Sequence, residues 1–336
     1  MGRSTRPITM MDLARLANVS AGTVSRALQR PDLVKPATRD RILALAKEHG
    51  FTINAAASGL RSGKTGAIGV IIPMGHDRGQ HISDPFFMNL IGQLADKLSD
   101  EGYNLLLARV LPEDDDWLDR MIGSRLFDGA IIVGQSNQGH NLERVAKEYA
   151  PLVVWGQYDA TNSYCTVGSD NVEGGRLAAQ HLLAQGSKRI TFLGDSSAPE
   201  IDARLQGARE VVEAANSGAT LSTEPVALEP DAAHSQIAAW LKTKPKMDAI
   251  IAASDVVAMS TIRALNEIGL SVPDDVLVVG YDDLPLAAHT MPPLTTVRQD
   301  IEQGAGKLVD LLLERMNGET NTSKLMAPEL VVRQSA

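Results

Sequence analysis

The chain has one cysteine, few aromatic residues and no long hydrophobic run. Of its 336 residues only 4% are Phe, Trp or Tyr, and Cys165 is the single thiol. One cysteine excludes an intramolecular disulfide and a thiolate metal cluster, so Cys165 is expected to be a small buried filler. No stretch approaches the roughly 18 continuous apolar residues of a membrane span, and the segment MGRSTRPITMMD lacks the apolar centre of a signal peptide. We therefore expect a cytoplasmic protein with no membrane partner.

Motifs of several common enzyme sites are also missing. The sequence has no GxxxxGK[ST] phosphate loop, no GxSxG nucleophile turn and no HExxH metal helix, and its seven histidines are scattered. The acidic run at 113–116 is typical of a solvated loop or of a helix start favoured by the helix dipole. These absences predict a protein that is not an enzyme and that uses no cofactor and no metal.

Residues 12–28, DLARLANVSAGTVSRAL, have the spacing of a helix-turn-helix. A first helix is predicted over 10–17, and Ser20 is the predicted N-cap of a second helix that begins at the next residue. Val24 and Leu28 then fall on one buried stripe of that second helix. Proteins with this motif place the N-terminal end of the second helix in the major groove, so the pattern predicts DNA binding.

The distribution of charge supports this interpretation, although the whole chain has a net charge of −9. Residues 1–64 hold 11 Lys and Arg against 4 Asp and Glu, whereas the remainder holds 21 against 37. A basic end on an acidic body can contact DNA phosphates through that end alone. Charge by itself would equally fit a solvated face, but here it accompanies the helix-turn-helix.

Beyond residue 65, short apolar runs alternate with amphipathic helical stretches. Continuous Ile, Val and Leu runs are typical of strands that are buried on both faces. The alternation predicts an α/β fold with doubly wound parallel sheets, whose ligands bind at the carboxyl ends of the strands. The predicted strands are 68–73, 104–110, 129–134, 152–156, 189–194, 248–254 and 276–282, and the helices between them include 86–101, 171–185, 201–215 and 256–268.

Several short segments, taken in order, resemble the LacI/GalR family of transcription regulators. The stretch VSAGTVSRAL is similar to the helix-turn-helix signature of that family, and FTINAAASGLRSGKTGAIGVIIP is similar to its hinge and first strand. The resemblance covers nearly the whole chain. Further matches are DPFF at 84–87, GSDNVEGG at 168–175, RLQG at 204–207, SD at 254–255, VGYDD at 279–283, PPLTTVRQD at 292–300 and LVVRQS at 330–335.

The resemblance implies a homodimer in which two N-terminal heads read the half-sites of a near-palindromic operator. It implies a three-helix helix-turn-helix head at 1–52, a hinge helix or linker at 53–64, and an effector-binding and dimerisation core at 65–336. The core would resemble periplasmic binding proteins, with two doubly wound lobes that are joined by three crossovers and close around an effector. Lobe 1 is expected at about 65–165 and 295–325, and lobe 2 at about 166–294 and 326–336.

The DNA contacts that the resemblance implies fall first on the second helix. Arg26 is expected to donate a pair of hydrogen bonds to guanine, or alternatively to clamp a phosphate. Ala21 and Gly22 occupy the variable reading positions of the family, and neither side chain can hydrogen-bond a base. Recognition should therefore depend on Arg26 and on the hinge. The expected phosphate contacts are Ser20, Thr23 and Ser25.

The hinge, residues 54–60, is too short to persist as an isolated helix in water. It should fold when two copies meet in the minor groove, where the resemblance makes Leu60 an apolar wedge between base steps. The alternative is a flexible linker with Leu60 packed on the core. Asn54 and Ala57 are expected to contact DNA from the same hinge.

A saccharide site needs hydrogen-bonding groups for hydroxyls and a flat apolar wall. Asp282 ends a predicted strand, where a carboxylate can accept from two hydroxyls, and Arg204 matches the ligand-binding arginine of the family. The aspartates could instead cap local structure, and the phenylalanines could be core residues. The expected effector contacts are Phe86, Phe87, Arg204, Asp255, Asp282 and Gln299.

The expected ligand follows from small residues at three pocket positions that the resemblance indicates, Gly156, Ala232 and Ser254. They predict a roomy pocket, suited to a disaccharide or a substituted sugar. We therefore expect a repressor of sugar-utilisation genes that a saccharide inducer releases from its operator, with a purine-type or corepressor effector as the alternative. Two other classes are a pure sugar-binding protein and a sugar-processing enzyme with a DNA-binding head. The basic head and the lack of a signal peptide argue against the first, and turnover of candidate sugars would test the second.

Overall fold

The chain divides into two units in its computed structural model, Met1–Thr65 and Gly66–Ala336. They are called the head and the core below. No helix among the described residues is long and apolar enough to cross a membrane. The structure describes residues 8–29, 31–51, 64–75 and 79–336.

Three helices surround one apolar cluster in the described part of the head, α1 (Met10–Leu16), α2 (Ala21–Gln29) and α3 (Pro36–Glu48). A capping box starts α1, because the Thr9 side chain accepts from the Asp12 backbone N–H and the Asp12 carboxylate accepts from the Thr9 N–H. The three helices bury small and branched side chains between them. The buried residues of the cluster are Leu13, Ala14, Ala17, Val24, Ala27, Ile42 and Ala46.

The described core contains two six-stranded sheets. Several of their inner strands are apolar along their whole length, because helices cover both faces and exclude water from both sides. Strand 129–133, for example, is buried at all five residues. In chain order the strands are β1 (Ala67–Pro73), β2 (Asn104–Val110), β3 (Gly129–Val133), β4 (Leu152–Trp155), β5 (Cys165–Ser169), β6 (Arg189–Leu193), β7 (Thr220–Glu224), β8 (Ala249–Ala252), β9 (Leu277–Asp282), β10 (Thr295–Arg298), β11 (Lys324–Met326) and β12 (Glu329–Val331).

Both sheets are dominated by parallel pairing. The first sheet has the order β11-β5-β4-β3-β1-β2, with every pair parallel. The second has the order β12-β10-β9-β8-β6-β7, in which only β12 is antiparallel to its neighbour. The predicted α/β, doubly wound fold is therefore confirmed. The helices of the core are α4 (Pro85–Asp100), α5 (Trp117–Gly123), α6 (Gly139–Ala146), α7 (Asn171–Ala184), α8 (Pro199–Ala214), α9 (Pro230–Leu241), α10 (Asp255–Glu267) and α11 (Ile301–Met316).

The chain passes between the two sheets after β5, after β10 and between β11 and β12. The expected lobe boundaries differ from the observed sheets at two strands. Strand β5 pairs with β4 in the first sheet, with Cys165 opposite Val153, and β10 pairs with β9 in the second, with Thr295 opposite Val279. Both strands carry Thr, Gly or Ser, so they lack the continuous apolar run that marks the other strands.

Helices α7 and α8 approach closely because each has a glycine at the contact. A Cβ on Gly175 would lie 1.9 Å from the Arg204 carbonyl oxygen, and a Cβ on Gly207 would lie 1.8 Å from that of Val172. Backbone atoms cannot yield at such distances, so any larger residue would push the helices apart. The two glycine-containing motifs thus fix α8 against α7, and with it the position of Arg204.

Candidate functional site

The exposed N-terminal end of α2 brings together several of the residues expected to contact DNA. Ser20 caps the helix, since its Oγ accepts from the Thr23 N–H at 3.2 Å and lies 2.9 Å from the Thr23 hydroxyl. Arg26 is exposed, and its Nε donates to the Gly22 carbonyl at 3.1 Å. The guanidinium therefore lies over the first turn of the helix, beside the hydroxyls. This end of α2 offers hydrogen-bond donors to phosphates or base edges.

The other predicted DNA contacts on α2 are less exposed than Arg26. Ala21 packs partly against the apolar cluster of the head, and Ser25 is half-buried. The hinge residues Asn54, Ala57 and Leu60 lie outside the described residues.

A cleft between the two sheets of the core encloses about 740 Å³, part of it open to solvent. Its walls come from the carboxyl ends of strands: Met74 follows β1, Trp155 ends β4 and Asp282 ends β9. This is where parallel sheets bind ligands. Five of the six predicted effector residues line the cleft, namely Phe86, Phe87, Arg204, Asp282 and Gln299.

Arg204 is held rigidly at the cleft by three contacts. Its Nε donates to Asn171 Oδ1 at 2.9 Å, and its Nη1 donates to the Ala253 carbonyl at 2.5 Å. Its guanidinium carbon lies 3.7 Å from the centre of the Tyr281 ring, a favourable cation–π distance. A buried guanidinium with this support presents a positive charge and a planar donor group in a fixed orientation.

Asp282 faces the same cleft from β9. Its Oδ1 accepts from Gln299 Nε2 at 2.7 Å, and both side chains are buried. Burial raises the pKa of Asp282 to about 7, with nearby Arg204 and the Gln299 hydrogen bond acting in the opposite direction. The backbone φ of Asp282 is +119°, a conformation that costs free energy and is common at binding sites. Asp282 therefore supplies a hydrogen-bonding carboxyl group whose charge changes near neutral pH.

Asp255 is the predicted effector residue that the structure places outside the cleft lining. Ser254 lines the cleft and is also the N-cap of α10, so Asp255 is not the cap. The fully buried Asp255 carboxylate accepts from the Leu284 N–H at 2.7 Å and from Thr296 Oγ1 at 2.6 Å. Burial, and then the charge of Asp282, raise its pKa. Asp255 ties α10 to neighbouring segments beneath the cleft, and the prediction that it contacts the effector is not supported.

The apolar wall includes a residue that sequence reasoning missed. The ring centres of Phe86 and Trp155 lie 5.9 Å apart, and those of Phe86 and Phe87 lie 5.7 Å apart. Phe87 also belongs to the apolar cluster of the first sheet. Trp155 fits because Gly304 of α11 lacks a side chain: a Cβ there would lie 2.3 Å from Trp155 Cζ3. Trp155 could have been predicted as a cleft residue, because it is an aromatic residue at the carboxyl end of a predicted strand.

The sequence also did not predict two acidic residues of the cleft, Asp84 and Glu200. Asp84 caps α4, accepting from the Phe86 N–H at 2.9 Å and from Gln80 Nε2 at 3.2 Å, and burial raises its pKa. Glu200 lines the cleft from the first turn of α8 and accepts from the Gln135 N–H at 3.2 Å. The cleft therefore offers several acceptors for hydroxyl groups.

Only one of the three small residues that predicted a roomy pocket lines the cleft, Ser254. A Cβ on Gly156 would lie 2.8 Å from the Gln135 side-chain oxygen, so Gln135 already fills that space. Ala232 lies in the first turn of α9, where its N–H donates to the Glu229 carboxylate. Small residues at 156 and 232 therefore do not enlarge the cleft.

Known proteins match both units. The model for bacterial regulatory proteins of the lacI family matches residues 9–54, and the model for a periplasmic binding protein-like domain matches residues 179–336. The HTH-type transcriptional regulator CelR of Thermobifida fusca is 32% identical over 100% of both chains. The HTH-type transcriptional repressor PurR of Photobacterium profundum is 28% identical over 97% of this chain and 98% of the relative. The solved structure of a CelR–cellobiose complex covers 98% of this chain and 100% of that chain, with 29% identity and a TM-score of 0.69.

A lacI-type helix-turn-helix domain followed by a periplasmic binding protein-like domain defines a DNA-binding transcription regulator rather than an enzyme. The chain belongs to the LacI family of bacterial regulatory proteins, as full-length identity of 32% to a member shows. The family resemblance seen in the sequence is thereby confirmed.

Proposed function

We propose that the chain is a repressor of sugar-utilisation genes whose cleft binds a saccharide inducer. The observation that carries this proposal is the pairing of polar groups with an aromatic wall in one cleft. Arg204, Asp282 and Gln299 provide donors and acceptors for hydroxyls, while Phe86 and Trp155 provide an apolar surface for the face of a sugar ring.

The charge of the described cleft residues favours a ligand that donates hydrogen bonds. Asp84, Glu200 and Asp282 are acidic, and Arg204 is the one cation among the described lining residues. Such a lining suits a hydroxyl-rich neutral ligand better than an anionic one. The solved complex of the relative CelR holds cellobiose, which supports a saccharide.

DNA binding is proposed to follow the family pattern. The end of α2 would enter the major groove with Arg26 toward the bases and Ser20, Thr23 and Ser25 toward phosphates. Leu60 would act as a minor-groove wedge from the hinge. The regulator would work in the cytoplasm, on a near-palindromic operator.

A homodimer is proposed because a two-fold operator requires two heads, and the core has an exposed apolar patch. Met291 is 86% exposed and Leu286 is 53% exposed, and Met291 borders a groove with Met259 and Ile262. An apolar groove beside a strongly exposed methionine is typical of an interaction surface. A second copy of the chain would cover them.

A thermal-shift screen of monosaccharides, disaccharides and purine bases tests the ligand. A saccharide at 100 times its dissociation constant should stabilise the protein by about 2.7 kcal/mol. Operator duplexes selected from a random library should then be released when that saccharide is added. Stabilisation by a purine base alone, together with tighter DNA binding, would instead favour the corepressor alternative.

A further inference from the structure

We propose that Gln135 is the positioning residue through which closure of the effector cleft reaches the first sheet. The proposal rests on the proposed function, because it concerns how an effector in that cleft is sensed. Gln135 lies at the carboxyl end of β3, is only 5% exposed, and does not line the cleft among its described residues. Two separate hydrogen-bonded routes from α8 meet at this one residue.

The first route is direct. Glu200, in the first turn of α8, accepts a hydrogen bond from the Gln135 backbone N–H at 3.2 Å. Glu200 lies four residues before Arg204, so the two side chains are neighbours on one face of the helix. A ligand that moves Arg204 toward the first sheet would therefore move Glu200 against Gln135.

The second route passes through the buried Asn171 and the half-buried Gln157. Arg204 Nε donates to Asn171 Oδ1 at 2.9 Å, Asn171 Nδ2 donates to Gln157 Oε1 at 2.9 Å, and the Gln157 backbone N–H donates to Gln135 Oε1 at 2.8 Å. Asn171 is only 2% exposed, so water competes little for the two of these hydrogen bonds that its side chain makes. The route starts on α8 and α7, where Arg204 and Asn171 lie, and ends beyond the carboxyl ends of β4 and β3 of the first sheet, where Gln157 and Gln135 lie.

Gln135 is anchored within the first sheet at the point where the routes meet. Its Nε2 donates to the Tyr164 hydroxyl at 2.8 Å, so both ends of its side-chain amide are used. Gly156 leaves the space that the amide fills, since a Cβ there would lie 2.8 Å from Gln135 Oε1. The residue is thus held in one rotamer by hydrogen bonds on each side.

This arrangement predicts different roles for Arg204 and Gln135. Arg204 contacts the effector, whereas Gln135 transmits the displacement of α8 to the sheet that begins at Ala67, the first strand after the head. Loss of the Gln135 side chain should leave the cleft lining intact but weaken its coupling to the first sheet, because only the backbone contact with Glu200 then remains. Binding of the effector would then affect binding of the operator less strongly.

The first experiment compares Gln135→Ala with Gln138→Ala in the full chain, with cellobiose as the probe sugar. Gln138 is a matched control, because its side-chain oxygen accepts from Trp117 and Asn141, both in the first lobe. In the wild type and in Gln138→Ala, saturating cellobiose should change operator affinity by about 5- to 150-fold. Gln135→Ala keeps the backbone N–H that Glu200 accepts from and removes the side chain on which the second route ends. That ratio should therefore fall by at least about threefold, while the cellobiose dissociation constant changes by less than about threefold. An unchanged ratio, or loss of cellobiose binding in proportion to the loss of response, would overturn the proposal.

The second experiment needs no ligand. Amide hydrogen exchange at Gln135 should become at least about tenfold faster in Glu200→Ala, because its N–H loses its acceptor, while Ile131 and Ile132 inside β3 should not change. Unchanged exchange at Gln135 would disprove the direct route. If the wild type ignores cellobiose, the sugar of the proposed function is wrong, and this exchange measurement then decides whether α8 is joined to Gln135.

Discussion

The guanidinium carbon of Arg204 lies 3.7 Å from the centre of the Tyr281 ring, and the two side chains come from α8 and β9. Tyr281 reaches this position because Gly174 has no side chain: a Cβ there would lie 2.3 Å from the Tyr281 hydroxyl oxygen. Tyr281 is buried, so the ring supports the charge away from water. The residue next to Asp282 thus orients the cation of the cleft.

Replacing Tyr281 by leucine should therefore weaken effector binding without removing any group that touches the ligand. Loss of a desolvated cation–π contact of about 1–2 kcal/mol corresponds to roughly a 5- to 30-fold loss of affinity. Tyr281→Phe is the matched control, since it keeps the ring, and it should bind the effector nearly as the wild type does. Titration calorimetry of both variants checks this. Equal affinity in Tyr281→Leu would show that the ring does not orient Arg204.

Effector affinity should depend on pH because the pKa of Asp282 is raised to about 7. The ionised carboxylate accepts from two hydroxyls, so binding should strengthen as pH rises through 7. A single proton released with this pKa gives about a tenfold gain in affinity between pH 6 and pH 8. Asp282→Asn should bind weakly and without this pH dependence. A flat profile in the wild type would contradict a carboxylate acceptor that titrates in this range.

The same carboxyl group also affects stability. Its folded-state pKa lies above the ordinary value of 3.8, so the folded protein binds more protons than the unfolded chain between about pH 4 and pH 7. The contribution of Asp282 to the free energy of unfolding therefore falls as pH rises through that range. Asp282→Asn should flatten this part of the stability profile, which urea denaturation at several pH values measures.

Gly156→Ala should destabilise the protein even though the residue does not line the cleft. Its Cβ would meet the Gln135 side chain at 2.8 Å, and overpacking of this kind costs about 1–3 kcal/mol. In a Gln135→Ala background the same change should be tolerated, because the clashing atoms are gone. Urea denaturation of the two single variants and the double variant measures this dependence. An equal cost of Gly156→Ala in both backgrounds would place the strain elsewhere.

Local signals in the sequence were enough to predict much of the architecture. The Ser20 cap and the apolar spacing around Val24 predicted α2 at its observed start, and continuous apolar runs predicted the inner strands other than β5 and β10. The position of Asp282 at the cleft was predicted because strand ends meet at one edge of a parallel sheet. These features depend on short-range spacing or on a general rule of the fold.

Other features depend on side chains that are distant in sequence, and the sequence did not predict them. Gly156 suggested free space for a ligand, but the Gln135 side chain fills that space and fits there because Gly156 has no side chain. Asp255 suggested a ligand contact, but Thr296, 41 residues away, takes its carboxylate. Trp155 reaches the cleft because Gly304 of α11 makes room for it. The local sequence around a glycine does not show which distant side chain occupies the space beside it.

The dimer is tested by placing a charge in the exposed apolar patch. Met291→Lys should shift the sedimentation of the protein from two chains per particle toward one, since burying an unpaired ammonium group is costly. The far-ultraviolet circular dichroism should stay unchanged, because the side chain is 86% exposed in the single chain. Met88→Lys is a matched control at another exposed methionine, on α4. A stable dimer in Met291→Lys would place the interface on another surface.

The DNA contacts are tested by changing Arg26 in two ways. Arg26→Ala should weaken operator binding by about 1–3 kcal/mol and relax the preference at one base pair in each half-site. Arg26→Lys keeps the charge but loses the planar pair of donors that matches guanine. If Arg26 reads a base, Arg26→Lys should regain overall affinity but not the preference for that base pair. If Arg26 instead clamps a phosphate, Arg26→Lys should restore binding, and the base preference should stay unchanged in both Arg26→Ala and Arg26→Lys. Binding to a set of single-base operator variants at several salt concentrations separates the two roles.

A wild type whose affinity hardly falls as salt rises would contradict phosphate contacts by the basic head.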